Sequence, residues 1–291
     1  MEKMKRLTID LPQKMVAFVS DLLLGLRAGA VTEELENSTG TLIHAYFEKE
    51  TDIRDIITTI KQFCILLDEN PEALRFTSQY ITKADWEGWK SYLKPVQASR
   101  RIVIRPPWEI QCQAVEGTKT VEINPGNAFG TGHHETTKIC VGYLDQIIEK
   151  FPGCSVLDVG CGSGILAICS IKLGAEISLC VDIDFKAARE AISNSVRNAV
   201  SDKIKVCCGS ADCTQKKFDV VVSNTSKDIL ISVKNILRQR TLPHGNLILS
   251  GIQVDEKHKV AEAYRNSGYD IVSETIDGQW AGLLFKLGES K

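Results

Sequence analysis

Gly160, Gly162 and Gly164 stand two apart between an apolar run, Val156 to Val159, and a second apolar stretch that opens at Ile165. That order predicts a strand, a glycine turn and a helix, because glycine lets the backbone take positive φ and approach a ligand closely. In doubly wound sheets, ligands bind where the strands end. Asp158 precedes the first of these glycines by two residues. Asp182 ends the next apolar run, about 20 residues on, where a carboxylate takes up ribose hydroxyls. Asp158, Gly160, Gly162, Gly164 and Asp182 are therefore candidates for binding a nucleoside cofactor. The bland alternative is a tight turn with no ligand.

The spacing bears on which cofactor. A dinucleotide fingerprint is GxGxxG, whereas this turn is GxGxG with Ile165 at the last fingerprint position. Pyrophosphate also needs the helix N-terminus left open beneath it. S-adenosyl-L-methionine (SAM) carries no phosphate, so the motif fits SAM better than a nicotinamide dinucleotide. An NAD-dependent oxidoreductase stays as a disfavoured alternative.

Two further motifs carry chemistry. Phe218 to Asn224 reads as a buried strand ending in an amide, which could accept from an amine substrate or hold the cofactor. Asn also commonly caps helices, which is the competing reading of Asn224. Asn124 to Thr137 holds a proline, three glycines, Phe129 and the pair His133 and His134. Neighbouring side chains diverge and no third ligand lies at metal spacing. A loop covering the cofactor, with Thr136 and Thr137 opening a helix, is the expectation; Phe129, Thr136 and Thr137 join the cofactor-binding candidates.

These motifs need a sheet to hold them. From residue 136 onward, helical patterns alternate with short apolar runs, which predicts a parallel sheet covered on both faces. Asp270 to Thr275 and Leu283 to Leu287 have no helix between them and predict an antiparallel pair. Upstream, the order strand, helix, strand, strand, helix, strand suggests a small α+β unit of the ferredoxin-like kind. Between them lies a segment with Trp86, Trp89 and Trp108, read as a connector or, alternatively, a partner-binding surface. Arg100, Arg101 and Arg105 flank its strand Ile102 to Ile104 and read as a solvated edge. The boundaries drawn are 1–84, 85–120 and 121–291.

Composition excludes some classes. The formal net charge of −2 gives no attraction to nucleic acid or to an anionic membrane. No segment reaches membrane-spanning length, and the first residues lack the apolar core of a signal peptide. The 10 cysteines show no CxxC pair, and reduced core thiols such as Cys169, Cys180 and Cys207 are expected. A cytoplasmic enzyme is the default.

The motifs NPGNAFGTGHHETT, LDVGCGSGILAI, VDID and DVVVSN together resemble the PrmA-type methyltransferases. Asp85-Trp86, Trp89-Lys90, Ile104 to Trp108, Leu249 to Ile252 and Gln279-Trp280 are similar to that family's other landmarks. The resemblance implies a seven-stranded, doubly wound α/β SAM-dependent methyltransferase domain behind a smaller α+β ferredoxin-like domain that recognises the substrate. It implies methylation of amines, lysine side chains or the N-terminal amine, on a large-subunit ribosomal protein. Thr137, Gly160, Asp182 and Asn224 match the family's SAM-contacting positions. Transfer would be a direct displacement, with Asn224 orienting the amine and Asp228 as the candidate for taking its proton. The family usually has an apolar turn with Ala and Pro after the Asn and a Glu before the C-terminal Trp. Here stand Thr225-Ser226-Lys227-Asp228 and Gln279. A SAM-binding protein without transferase activity is the competing class, and a nucleic-acid methyltransferase is a further one, since fold alone does not fix substrate.

Overall fold

The computed structural model describes residues 3–12, 15–26, 28, 30–36, 40–66, 69–82, 93–109, 117–124 and 130–288. Contacts divide the chain into two compact units, Met1–Tyr92 and Leu93–Lys291.

The first unit runs β1 (Lys3–Leu11), α1 (Val16–Gly25), β2 (Ala30–Glu36), β3 (Gly40–Glu48), α2 (Ile53–Leu66) and β4 (Arg75–Thr82). The sheet order is β2-β3-β1-β4, and every neighbouring pair is antiparallel. Period-two alternation makes one face apolar: Leu7, Ile9 and Leu11 of β1 and Ile43, Ala45 and Phe47 of β3 are buried. Ile56, Ile60 and Cys64 recur every fourth residue on α2, and Val19 and Leu23 on α1, so each helix covers that face with one stripe.

The second unit opens with three short strands, β5 (Val96–Gln97), β6 (Ile102–Arg105) and β7 (Lys119–Glu122), in a sheet of their own. Most of the segment expected to connect two domains thus lies in this unit, with β6 and β7 paired in parallel. There follow α3 (Glu135–Lys150), β8 (Ser155–Val159), α4 (Ile165–Leu173), β9 (Ile177–Asp182), α5 (Phe185–Arg197), β10 (Ile204–Cys208), β11 (Phe218–Asn224), α6 (Lys227–Arg240), β12 (Thr241–Gln253), α7 (Lys257–Arg265), β13 (Tyr269–Asp277) and β14 (Trp280–Leu287). The sheet order is β10-β9-β8-β11-β12-β14-β13. The first five strands run parallel, and β14 pairs antiparallel with both β12 and β13.

Both faces of this sheet are apolar. Val156, Val220, Val222 and Ile248 face α3 and α4 in one core, while Leu157, Val221, Leu247 and Leu249 face α6 and α7 in the other. Burial on both sides explains why the strands read as continuous apolar runs rather than alternating ones. Strand order reverses between β8 and β11, and such a switch point opens a crevice at the strands' C-terminal ends.

The arginines at β6 correct the sequence reading in part. Arg101 Nε donates to Asp145 Oδ1 on α3 at 2.5 Å, and Arg105 pairs with Glu122 at 2.8 Å. Both are largely covered rather than solvated; Arg100 remains exposed and pairs with Glu149. Among the described cysteines none forms a disulfide; Cys169 and Cys180 are buried as expected, whereas Cys207 is only partly so. Among the described residues no helix is long and apolar enough to cross a membrane.

Candidate active site

Sheet register gathers the site. Val159 on β8 pairs with Ser223 on β11 and with Val181 on β9. One step further along each strand stand Gly160, Asn224 and Asp182, three residues far apart in sequence that share one level at the sheet's C-terminal edge.

Gly160, Gly162 and Gly164 all adopt positive φ, at 73°, 52° and 77°. The amides of this turn are used within the protein. Gly160 and Cys161 N–H donate to the Val181 carbonyl at 2.9 and 3.1 Å, and Gly164 N–H to the Cys161 carbonyl at 2.8 Å. Gly162 N–H donates to Asp182 Oδ2 at 2.8 Å, while Asp182 Oδ1 accepts from Asp184 N–H at 2.9 Å. A dinucleotide's pyrophosphate would need such amides free, so the turn does not suit NAD. Each Asp182 oxygen keeps further acceptor capacity.

A cavity of about 590 Å³ opens over this turn, within the roughly 300–1,000 Å³ of ordinary ligand sites. Gly160, Gly162, Asp182, Thr137 and Asn224 line it. Its opposite wall is apolar, from Ile183, Ala211, Ile229 and Val233. Among the described lining residues the only charged ones are Asp182 and Asp184. A cationic ligand meets no repulsion there.

Two polar atoms at the cavity are buried and unbonded: Thr137 Oγ1 and Asn224 Oδ1. A buried polar atom left without a partner costs roughly 1–3 kcal/mol, so both await a ligand group. The other end of the Asn224 amide is anchored: Nδ2 donates to Thr136 Oγ1 at 3.2 Å. Ser226, not Asn224, stands at the N-cap position of α6, which removes the competing reading of Asn224 as a helix cap. At α3 the cap is His134, whose Nδ1 accepts from Thr136 N–H. The helix therefore starts at Glu135, just before the two threonines expected to open it. His134 also packs edge-on against Trp280, centroids 5.0 Å apart. Among the described residues no cluster suits a metal ion.

Comparison with known proteins fits this arrangement. Over residues 14–287 the sequence matches the family described as ribosomal protein L11 methyltransferase (PrmA). The chain belongs to the PrmA family. The ribosomal protein L11 methyltransferase of Desulfotalea psychrophila is 30% identical over 296 residues, spanning 98% of each chain. That of Alkaliphilus metalliredigens is 36% identical over 258 residues, 85% of this chain and 79% of the relative. In three dimensions, the ribosomal protein L11 methylase of Lactobacillus delbrueckii subsp. bulgaricus superposes with TM-score 0.62 at 29% identity, covering 67% of this chain and all of that one.

PrmA-family membership makes SAM the cofactor. The residues fit it: two carboxylates and no cation in the described lining, an apolar wall, and the buried, unpartnered Thr137 hydroxyl. Not every residue expected from the sequence reaches the cavity. Asp158 is fully buried beneath the turn, where Oδ2 accepts from Ala167 N–H at 3.2 Å and Oδ1 has no partner. Burial pushes its pKa up to about 7. Strand alternation aims it at α4 rather than at the ligand. Gly164 likewise packs against α5: a Cβ there would lie 2.9 Å from Ala191 Cβ. Thr136 is buried behind Asn224 and does not line the cavity. Asp228 projects into solvent from the first turn of α6, its side chain 87% exposed and 3.5 Å from Lys227 Nζ. It is not positioned to take a proton in the cavity. Phe129 lies outside the described residues.

Several contributors carry no motif of their own in the sequence. Ser163 Oγ donates to the Gly130 carbonyl at 2.7 Å, tying the covering loop to the glycine turn. Asn194 Nδ2 donates to the Ser163 carbonyl, and its Oδ1 accepts from Asn124 N–H. Asn198, one turn later, brackets Glu122 with both amide atoms. The pair Asn194 and Asn198 at i, i+4 was the available signal. Lys227, in the divergent turn, donates to Glu256 at 2.5 Å. That bond raises its pKa above the ordinary lysine value, so it stays an ammonium and is no base.

Proposed function

We propose that the chain transfers methyl groups from SAM to amine nitrogens, lysine side chains or the N-terminal amine, of large-subunit ribosomal protein L11. The observation that carries this is Asn224 Oδ1, a buried acceptor without a partner at the cavity's edge, level with Gly160. Its relatives carry the name ribosomal protein L11 methyltransferase.

Bound in the cavity, SAM supplies a methyl on a sulfonium, already a good leaving group. The protein's task is then mainly positioning, which supplies a large share of the rate. Asp182 would hold the ribose hydroxyls on its remaining lone pairs, and the unpartnered Thr137 hydroxyl would hold the cofactor beside it. Asn224 Oδ1 accepts one N–H of the incoming amine and so aims its lone pair. That amine must be neutral, and a free lysine has a pKa of about 10.4. The described lining offers no histidine or lysine as a base. Desolvation by the apolar wall lowers an amine's pKa, and the proton leaves to solvent before attack.

The antiparallel order β2-β3-β1-β4 with two helices on one face supports a ferredoxin-like reading of the first unit, and we assign it substrate recognition. The second unit reads as the seven-stranded, Rossmann-like methyltransferase domain. A net charge of −2 supports a protein rather than a nucleic-acid substrate or an anionic membrane surface, and we assign the chain to the cytoplasm, where ribosomal proteins are met.

The test is incubation with labelled SAM and ribosomal protein L11, read by intact mass. Methyl transfer is expected, and Asn224→Ala should lose it while SAM still binds. Tight SAM binding with no label transferred would overturn the assignment.

A further inference from the structure

The Asn224 amide spends its nitrogen on Thr136 and leaves its oxygen without a partner, in a residue that lines the cavity, and a chain of hydrogen bonds decides which end is left over. His134 Nδ1 accepts from Thr136 N–H at 3.3 Å, so this nitrogen carries no proton. It also lies 2.8 Å from Thr136 Oγ1. With Nδ1 an acceptor, the Thr136 hydroxyl must donate to it. The hydroxyl's single hydrogen is then spent. Thr136 Oγ1 has only acceptor capacity left toward Asn224, 3.2 Å away. Only the amide's NH₂ can meet an acceptor, so Oδ1 is the end left over, buried and unbonded. Reversing the amide would set two acceptors against each other. Thr136 is 1% exposed, which keeps water from substituting for either bond. The edge-on Trp280 ring packs against the His134 end of the chain.

We propose that Thr136 is a positioning residue for methyl transfer, relaying the acceptor state of His134 Nδ1 to Asn224 so that the amide oxygen faces the attacking amine. This rests on the reading of Asn224 as the amine-facing group. Thr136 touches neither cofactor nor substrate; it acts through Asn224. An amide turned the other way would present NH₂ to an amine lone pair and compete with the methyl group for it. The effect falls on the transfer step rather than on SAM binding.

The experiment compares Thr136→Val, Thr136→Ser and Asn224→Ala. Each is measured for kcat with SAM and ribosomal protein L11, and for SAM affinity by calorimetry. Valine keeps the shape and removes both bonds. Its kcat should fall about tenfold or more, with SAM affinity within about twofold, and serine should recover most of the loss. Val and wild type with equal kcat, while Asn224→Ala is inactive, would overturn the relay and leave the reading of Asn224 standing. Full activity in Asn224→Ala would overturn that reading itself. Because a buried valine can disturb folding, the same kinetics are run on His134→Asn and His134→Ala. Asparagine keeps an acceptor at the cap and should retain several-fold more kcat than alanine; equal kcat in the two would overturn the relay.

Discussion

The carboxylate of Asp182 accepts from Gly162 N–H at 2.8 Å, so the end of β9 holds the glycine turn that follows β8. One side chain thus shapes the cradle and faces into it. Cofactor binding and turn geometry are coupled at this residue.

Replacing Asp182 by alanine removes the ribose acceptor and frees the turn. SAM affinity should fall by roughly 1–3 kcal/mol, on the scale of hydrogen bonds to a charged group. Titration calorimetry measures it directly. An unchanged dissociation constant contradicts the role given to Asp182.

Asp158 makes stability depend on pH. Its carboxyl keeps a proton up to about pH 7 in the folded chain because burial disfavours the charge, whereas the unfolded chain releases it near pH 4. Between those values the native state binds more protons, so stability falls as pH rises and levels off above 7. Asp158→Asn has no such loss and keeps an acceptor for Ala167 N–H. Its melting temperature should gain on wild type progressively from pH 4 to 7, by a stability difference of a few kcal/mol, then hold constant. A gap independent of pH would refute this account.

Gly251 borders the turn after Asn224. It has φ +84°, and a Cβ would meet the Thr225 carbonyl, with the Thr225 carbonyl carbon 2.8 Å away. Backbone cannot swing aside as a flexible side chain does. Gly251→Ala should cost roughly 2–4 kcal/mol from left-handed strain and overpacking, read by chemical denaturation. Because Thr225 adjoins Asn224, kcat should drop more than SAM affinity does. A variant as stable as wild type would show that the turn yields.

Arg101 secures α3 to β6. It donates to Asp145 Oδ1 at 2.5 Å and to the Asp145 carbonyl at 2.8 Å. Burial alone would raise the Asp145 pKa, but hydrogen bonds from Ser99 and Arg101 outweigh it and hold the carboxyl below its ordinary value. Arg101→Ala leaves a nearly buried carboxylate without its cation, at about 3 kcal/mol. The native pair's contribution is present above pH 4 and is lost as pH falls through the depressed pKa. Urea melts at pH 7 and at pH 3 should therefore show a large penalty shrinking in acid; an equal penalty at both would point to lost packing instead.

Much of the site was legible because its parts are local. The glycine turn, Asp182 and Asn224 each end a strand, and apolar runs such as Val220 to Val222 mark those strands plainly. Asp158 and Gly164 look like ligand contacts in the sequence because spacing does not tell which side of a turn a residue faces. Asp158 turns under α4 and Gly164 against Ala191. The apolar wall was not legible: that Ile183, just after Asp182, is a large apolar side chain left 82% exposed emerges only from the structure. Arg101 and Arg105 look solvated in the sequence because Asp145 and Glu122 lie far off along the chain, and only packing brings them together.

The sequence by itself determined the alternation of strands and helices, the glycine turn and the family, because periodicity, turn chemistry and motif spacing are properties of neighbouring residues. Tertiary structure alone decided that Gly160, Asp182 and Asn224 stand level at one sheet edge, and that Thr136 backs the Asn224 amide. Sheet register and burial bring residues dozens of positions apart within hydrogen-bond reach, and no local pattern encodes which of them will meet.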